Sequence, residues 1–376
     1  MRIALSCNEY PPLPHGGIGT FVKSLANEYV RLGHDVTVFG THHTADSFND
    51  GPIRVEMLRD DRRRFGWFFE RFALRRYLQQ SLAKKRFDIV ELVDYSGMLP
   101  WPIRGLPVVV RLHMSWTVLW RHFGKPSRPR WMTYCERQTL ARHPHWIGCS
   151  KFILEETSRV TGLTPVSSRV IYNPFPGQLP AEVKPLAERE KVILFAGQVA
   201  KRKGALAVAE AAKIFLPLLP GYRVVFVGGQ DEFNGRSAPE AFKHIVGNEL
   251  APRLVFTGLV DHATVLDWMR RAQVFLFPSC LEAFGIVVLE AMASGLPVIY
   301  SRLHSGTEII QNNVNGYLVD PASTDEITRR VVDVCRNLPH SQSLADAARK
   351  TIADRFTPNI CARESLEFYD EILRRK

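Results

Sequence analysis

The chain has 376 residues, 45% of them apolar, and a formal charge of +11. That length suits two domains of ordinary size, each able to bury a core, and the composition excludes a disordered or low-complexity chain. Six scattered cysteines with no CxxC pair argue against a zinc site and a disulfide framework, and fit a reducing, cytoplasmic compartment.

The charge is unevenly placed. Residues 1–185 hold 26 Lys/Arg against 16 Asp/Glu, a net of +10, and residues 186–376 hold 23 against 22, a net of +1. Such asymmetry suggests an anionic surface or partner for the first half, or simply a soluble basic domain. No apolar stretch approaches the length of a membrane span. The opening apolar run in MRIALSCNEYPP is too short for a signal peptide and reads as a first strand and turn.

Taken in chain order, short apolar runs alternate with amphipathic stretches, the pattern of strands and helices around a parallel sheet. The first series of predicted strands is Ile3–Ser6, Asp35–Phe39, Ile89–Leu92, Val108–Leu112, Trp146–Cys149 and Arg169–Tyr172. A helix from Gly19 to Leu32 is stopped by Gly33. Residues Pro174 to Glu190 hold four prolines and one glycine and read as a linker. A second series follows at Val192–Ala196, Arg223–Val227, Leu254–Thr257, Val274–Phe277, Pro297–Tyr300 and Tyr317–Val319. The fold class is therefore α/β, two doubly wound domains in tandem. A last amphipathic helix, Pro358 to Arg375, closes the chain.

Four places carry candidate chemistry. The turn Pro14-His15-Gly16-Gly17-Ile18-Gly19-Thr20 follows the first strand. It is either a structural tight turn or an anion cradle, since glycine lets backbone N–H groups approach a ligand. The loop Gly197-Gln198-Val199-Ala200-Lys201-Arg202-Lys203-Gly204 follows the first strand of the second series. It sets three cations at a helix N-terminus, which suits a diphosphate. The segment FPSCLEAFGIVVLEAMASGLPV carries Glu282 just before a strand-to-helix turn, with the N–H groups of Phe284, Gly285 and Ile286 at the turn itself. Glu290, more than a turn into the helix, lies in so apolar a run that it needs a partner. A structural ion pair is one reading, and a bidentate hold on sugar or ribose hydroxyls is the preferred one. His113, just past VVVRL, is either functional or a satisfied structural histidine. No DxD sequence appears, so a carboxylate-bound divalent metal on a diphosphate is not supported and no cofactor is expected.

With these residues in view, the chain resembles the family 4, or group 1, retaining glycosyltransferases of the GT-B architecture. In that fold two Rossmann-like domains face a cleft, and the C-terminal helix crosses back to the first. The resemblance rests on the E-x7-E pattern at Glu282 and Glu290 and on Lys203-Gly204. Further matches are PHGGIGTFVKSLANEYVRLGHDVTVF, IYNPF at 171–175, FTGLV at 256–260 and GTEIIQNNVNGYLVDP at 306–321. It implies an N-terminal acceptor-side domain, residues 1–180 with 358–376, and a nucleotide-sugar-binding domain, residues 181–357. It also implies roles. Glu290 binds the donor ribose, and Glu282 with the amides of Phe284, Gly285 and Ile286 holds the sugar and distal phosphate. Lys203 neutralises the diphosphate, Gly17 brings an amide to it, His113 touches the sugar, and the nucleobase lies near Leu259 and Val260. The family usually has Arg where Gln198 stands; either Lys201 or Arg202 compensates for its charge, Arg202 being the preferred reading, or the leaving group is stabilised less.

The implied reaction moves a hexose from a UDP- or GDP-sugar to a glycan or lipid-linked acceptor in cell-surface polysaccharide or glycolipid synthesis, without metal. A sugar-nucleotide epimerase or hydrolase fits the same architecture. A basic nucleic-acid-binding protein is a distant rival that leaves both glutamates unexplained. Residues Arg59 to Arg86 hold ten Lys/Arg against three Asp/Glu, with Phe65, Phe68, Phe69 and Phe72 in one helical stripe. The stripe reads first as a core face and second as a peripheral contact with an anionic inner leaflet. The basic aromatic loop Trp120–Trp131 follows and suits the border of an acceptor site.

Overall fold

Strand and helix alternate along the whole chain, which divides into two compact units: Met1–Pro176 with Pro358–Lys376, and Gly177–Thr357. The structure, a computed structural model, describes residues 1–13, 16–43, 46–60, 66–124 and 130–375. Pro14, His15, Phe65 and parts of the two basic stretches lie outside the described residues.

The first unit begins with β1 (Arg2–Ser6), α1 (Gly17–Arg31), β2 (Asp35–His42), β3 (Ser47–Asp50) and β4 (Ile53–Arg59). There follow α2 (Gly66–Ala83), β5 (Ile89–Val93), β6 (Val108–Leu112), α3 (Trp116–Phe123) and α4 (Arg130–Arg142). It continues through β7 (His145–Gly148), α5 (Lys151–Thr161) and β8 (Ser167–Val170). The eight strands run in the order β3-β4-β2-β1-β5-β6-β7-β8, parallel apart from the β3–β4 pair. Strands β5 and β6 are buried nearly throughout, as strands covered on both faces must be. Strands β3 and β4 are absent from the sequence expectation. In β4 the alternation of buried Ile53, Val55 and Met57 with more exposed Arg54, Glu56 and Leu58 is the signal that marks it.

The second unit runs β9 (Val192–Ala196), α6 (Ala205–Leu218), β10 (Arg223–Val227), α7 (Ala238–Val246), β11 (Leu254–Phe256) and α8 (His262–Arg271). It continues β12 (Val274–Phe277), α9 (Ile286–Ala293), β13 (Val298–Ser301), α10 (Gly306–Ile309), β14 (Tyr317–Val319), α11 (Thr324–Arg336) and α12 (Leu338–Arg355). Its six strands are all parallel, in the order β11-β10-β9-β12-β13-β14.

The last helix, α13 (Pro358–Arg374), packs with the first unit. Its buried face, with Cys361, Ala362, Ser365, Phe368, Tyr369 and Ile372, has the helical spacing of an amphipathic segment. A buried polar network fixes it. The Arg111 guanidinium donates to both oxygens of Glu91 at 2.8 and 2.9 Å and to the Ser365 hydroxyl at 2.8 Å. The Tyr369 hydroxyl donates to Glu91 at 2.5 Å. Since Glu91 and Arg111 point from neighbouring strands β5 and β6, the helix is locked to the sheet interior by a buried charge pair.

In each sheet the chain builds strands to one side of the first strand and then crosses to the other. The crossing separates β1 from β5 in the first unit and β9 from β12 in the second. At such a point the loops leaving the two strands diverge, which opens a crevice at their carboxyl ends.

Candidate active site

At the second unit's crevice, the loop after β9 and the loop after β12 are laced together. The Cys280 N–H donates to the Arg202 carbonyl at 2.9 Å. Gly204 has φ +78, and a Cβ there would lie 1.9 Å from the Pro278 carbonyl oxygen, so only glycine permits this approach. The lacing turns Lys203 inward. Its ammonium pairs with the Glu282 carboxylate and lies 5.8 Å from the centroid of the Phe277 ring. The expected diphosphate cation and the expected sugar carboxylate are thus brought together and serve as each other's counterion.

Beyond Glu282 the chain turns through Gly285, at φ +95 with the Tyr300 hydroxyl 2.8 Å from where a Cβ would sit, into α9. The first N–H groups of a helix have no preceding turn to donate to, so Gly285 and Ile286 present theirs at the crevice. Five residues into α9, Glu290 is almost wholly buried. Its Oε1 meets the Nε2 of His262 at 2.7 Å. The structure therefore supplies the protein partner that so apolar a position demanded, and the need for a partner no longer speaks by itself for a ligand. Among the described residues the other oxygen, Oε2, has no hydrogen-bond partner, and the side chain keeps 8% exposure. His262 opens α8 next to the Asp261 cap, and the bond to Glu290 raises its pKa against the opposing effect of burial. Just before it, Leu259 is 87% exposed and Val260 half-buried, at the carboxyl end of β11.

Gln198 is engaged at both ends of its amide. Arg202 donates to its oxygen at 2.7 Å, and its nitrogen donates to Asp231 at 2.6 Å. The chain Arg202–Gln198–Asp231 holds a guanidinium beside the position where the family usually has one. Sequence reasoning found neither Asp231 nor His262. Each lies at the start of a loop or helix after a strand of the same sheet, and that shared edge was the available signal.

In the first unit, a pocket of about 370 Å³ opens at the β1–β5 crossing, lined by Ser6, Asn8, Glu9, Gly16, Gly17 and Tyr95, among others. Gly17 is the first residue of α1, as an anion cradle requires. A protein carboxylate already occupies the neighbouring amides: Gly16 and Gly19 donate to Glu9 Oε1 at 3.1 and 2.9 Å. Beside this pocket Asp94, at the end of β5, is fully buried and accepts the His113 backbone N–H at 2.9 Å. Burial, reinforced by the charge of Glu136, pushes the Asp94 carboxyl up to about 7. The His113 ring packs edge-on to Phe21 at 4.8 Å, and its Nε2 is buried with no hydrogen-bond partner among the described residues. Burial and the nearby Arg111 charge push it down to about 3, so the imidazole is neutral at ordinary pH. Buried Glu136 braces this edge by accepting N–H groups of Ser96, Trp116 and Thr117 at 3.1, 2.9 and 2.9 Å. Ser96 and Met114 are held at φ +66 and +92, strained for side chains of their kind.

The aromatic stripe of α2 corrects its first reading. Phe68, Phe69 and Phe72 are 41%, 51% and 50% exposed, and the core face is instead Leu74, Leu78 and Ser81, with Arg71 buried beside them. On the buried side Trp67 stacks on Trp131 at 4.3 Å, and Arg71 lies 5.0 Å from the Trp131 ring. Among the described residues, no helix is long and apolar enough to cross a membrane.

Two parallel-sheet units, each with a crevice at a strand crossing, are the GT-B glycosyltransferase architecture, and comparison with known proteins agrees. The family model for glycosyl transferases group 1 matches residues 181–351, and that for glycosyltransferase family 4 matches residues 15–176. An uncharacterised glycosyltransferase of Methanocaldococcus jannaschii is 27% identical over 98% of this chain and 98% of its own. Among solved structures, sucrose-phosphate synthase of Thermosynechococcus elongatus superposes with a TM-score of 0.79 at 19% identity. The match covers 100% of this chain and 99% of that one. The Anabaena protein HepE, in complex with UDP, superposes at 0.72 and 17% identity, over 99% and 100% of the two chains. The chain belongs to the group 1, family 4 glycosyltransferases.

Proposed function

We propose that this glycosyltransferase moves a hexose from a UDP- or GDP-sugar to a glycan or lipid-linked acceptor, with retention of the anomeric configuration and without a metal ion. One observation carries the reading. Lys203, Glu282, the first amides of α9 and the open oxygen of Glu290 gather at the β9–β12 crossing. Those are the groups a nucleoside diphosphate sugar needs: a cation and amides for the phosphates, and carboxylates for hydroxyls. That HepE is a UDP complex supports the donor class.

The bond from sugar C1 to the β-phosphate oxygen breaks, and the acceptor oxygen bonds to C1 on the same face. Negative charge collects on the departing phosphate, where Lys203, Arg202 and the helix amides stabilise it in place of a metal. The acceptor's proton passes to that phosphate. Glu282 holds the sugar and Glu290 the ribose; Leu259 and Val260 flank the base. Neutral His113 accepts from or donates to a sugar hydroxyl, and Gly17 offers an amide to the phosphate. The residues 1–180 with 358–376 would serve the acceptor, and 181–357 the donor.

The exposed phenylalanines of α2, in a unit that carries most of the positive charge, suit peripheral contact with an anionic inner membrane leaflet. They favour a lipid-linked acceptor in polysaccharide or glycolipid synthesis.

Proton NMR of the sugar released or transferred from UDP- and GDP-hexoses, with and without EDTA, tests the reading. An inverted anomer overturns retention, and loss of turnover in EDTA overturns metal independence. Failure of every such donor overturns the donor class. Vesicles with anionic lipid, sedimented at low salt, test the membrane contact; no binding overturns it.

A further inference from the structure

We propose that His262 is a positioning residue for the donor: it clamps one oxygen of Glu290 so that the other faces the ribose hydroxyls. This rests on the ribose reading of Glu290 given above.

The geometry is specific. Glu290 is 6% exposed, on a helix whose neighbouring side chains Val288, Leu289, Ala291 and Met292 are buried and apolar. None of those four side chains can donate a hydrogen bond to a carboxylate. A carboxylate free to rotate has to be ordered when ligand binds, and ordering a rotamer-rich side chain lowers affinity. His262 removes that freedom through one bond of 2.7 Å to Oε1, which leaves Oε2 without a partner among the described residues. Among the described residues only one of the carboxylate's oxygens is taken, and its remaining acceptor sites suit the paired hydroxyls of a ribose.

The placement of His262 is equally particular. It is the first residue of α8, whose N-terminus is fixed by Asp261 accepting the Thr264 N–H at 2.7 Å. The imidazole therefore stands on a rigid support directly after Leu259 and Val260, the pair expected beside the nucleobase. Its half-exposed ring sits at the junction of the ribose and base positions. The charged groups facing it are Glu290 from α9 and Asp261 from its own turn. Because the tie is to the ribose end, His262 acts on donor binding. It does not touch the bond that breaks, so turnover at saturation is not its province.

The test compares His262→Ala, His262→Gln, Glu290→Ala and the His262→Ala/Glu290→Ala double variant. Donor KM, kcat and thermal unfolding are measured with the UDP- or GDP-sugar that the enzyme turns over. His262→Ala should raise donor KM about tenfold, the scale of one charge-assisted hydrogen bond, with kcat nearly unchanged. His262→Gln, whose amide can donate in the same direction, should recover most of the loss. In the Glu290→Ala background, His262→Ala should have no further effect. Should Glu290→Ala raise KM while His262→Ala does not, the clamp is overturned and the ribose reading stands. Unchanged KM in Glu290→Ala overturns the ribose reading itself. A His262→Ala loss confined to thermal stability, or not rescued by glutamine, also overturns the clamp.

Discussion

Lys203 and Glu282 pair with each other across the loops that follow β9 and β12, both largely shielded, with side-chain exposures of 16% and 18%. Each is the other's counterion, so removing one leaves a poorly solvated charge behind. Lys203→Ala should lower kcat/KM by roughly a hundredfold or more, as loss of a group that meets developing charge does. Steady-state kinetics with a saturating acceptor measures it. A loss of only severalfold would move the diphosphate away from this lysine.

Gln198 occupies the family's arginine position, and its amide is spent on Arg202 and Asp231. The guanidinium is therefore already present, carried by a different residue. Gln198→Arg should gain little turnover, because a second cation would compete with Arg202 for the same ground. Arg202→Ala should lose about tenfold to a hundredfold. A large gain from Gln198→Arg would show that charge was missing after all.

Asp94 and His113 make opposite contributions to the pH dependence of folding. Asp94 titrates at about 7 when folded, against 3.8 unfolded, so the folded chain binds the extra proton between these values and stability falls as pH rises. His113 titrates at about 3 when folded, against 6.5 unfolded; the unfolded chain binds the extra proton and stability rises with pH. Between pH 3.8 and 6.5 the two slopes oppose each other. Asp94→Asn leaves the histidine term alone, so its stability should climb more steeply than wild type there, by up to about 1.4 kcal/mol per pH unit. Denaturant unfolding at several pH values checks this. Parallel curves for the two proteins would refute it.

The alternation of strand and helix, both doubly wound sheets and the closing helix were legible because buried parallel strands read as apolar runs. So was the gathering of Lys203, Glu282 and Glu290, since loops at one edge of a parallel sheet must converge. Pair identities were not legible. Lys203 and Glu282 are 79 residues apart, and His262 meets Glu290 from another helix, so only folding introduces them. Glu9 was missed for a related reason: a carboxylate curling back onto Gly16 and Gly19 leaves no periodic trace. The phenylalanine stripe of α2 misled because helical spacing reports a shared face and not what covers it.

The network that holds α13 should be sensitive to the loss of one charge. Arg111→Met leaves Glu91 buried without its partner, and should cost about 3–5 kcal/mol in denaturant unfolding. Tyr369→Phe removes the bond donated to Glu91 and the one accepted from the Tyr29 hydroxyl at 3.1 Å, and should cost about 1–3 kcal/mol. Equal effects from the two variants would mean that the Arg111–Glu91 pair contributes no more than the Tyr369 hydroxyl.

The central claim, that the β9–β12 crossing binds a nucleoside diphosphate sugar with Glu290 on the ribose, is met most directly by calorimetric titration. UDP, GDP, ADP and their hexose conjugates would be titrated into the wild type and into Glu290→Ala. The expected result is saturable binding of one uridine or guanosine diphosphate series, weakened about tenfold to a hundredfold in Glu290→Ala. Absence of binding by all of them, or equal affinity in the two proteins, would contradict the account.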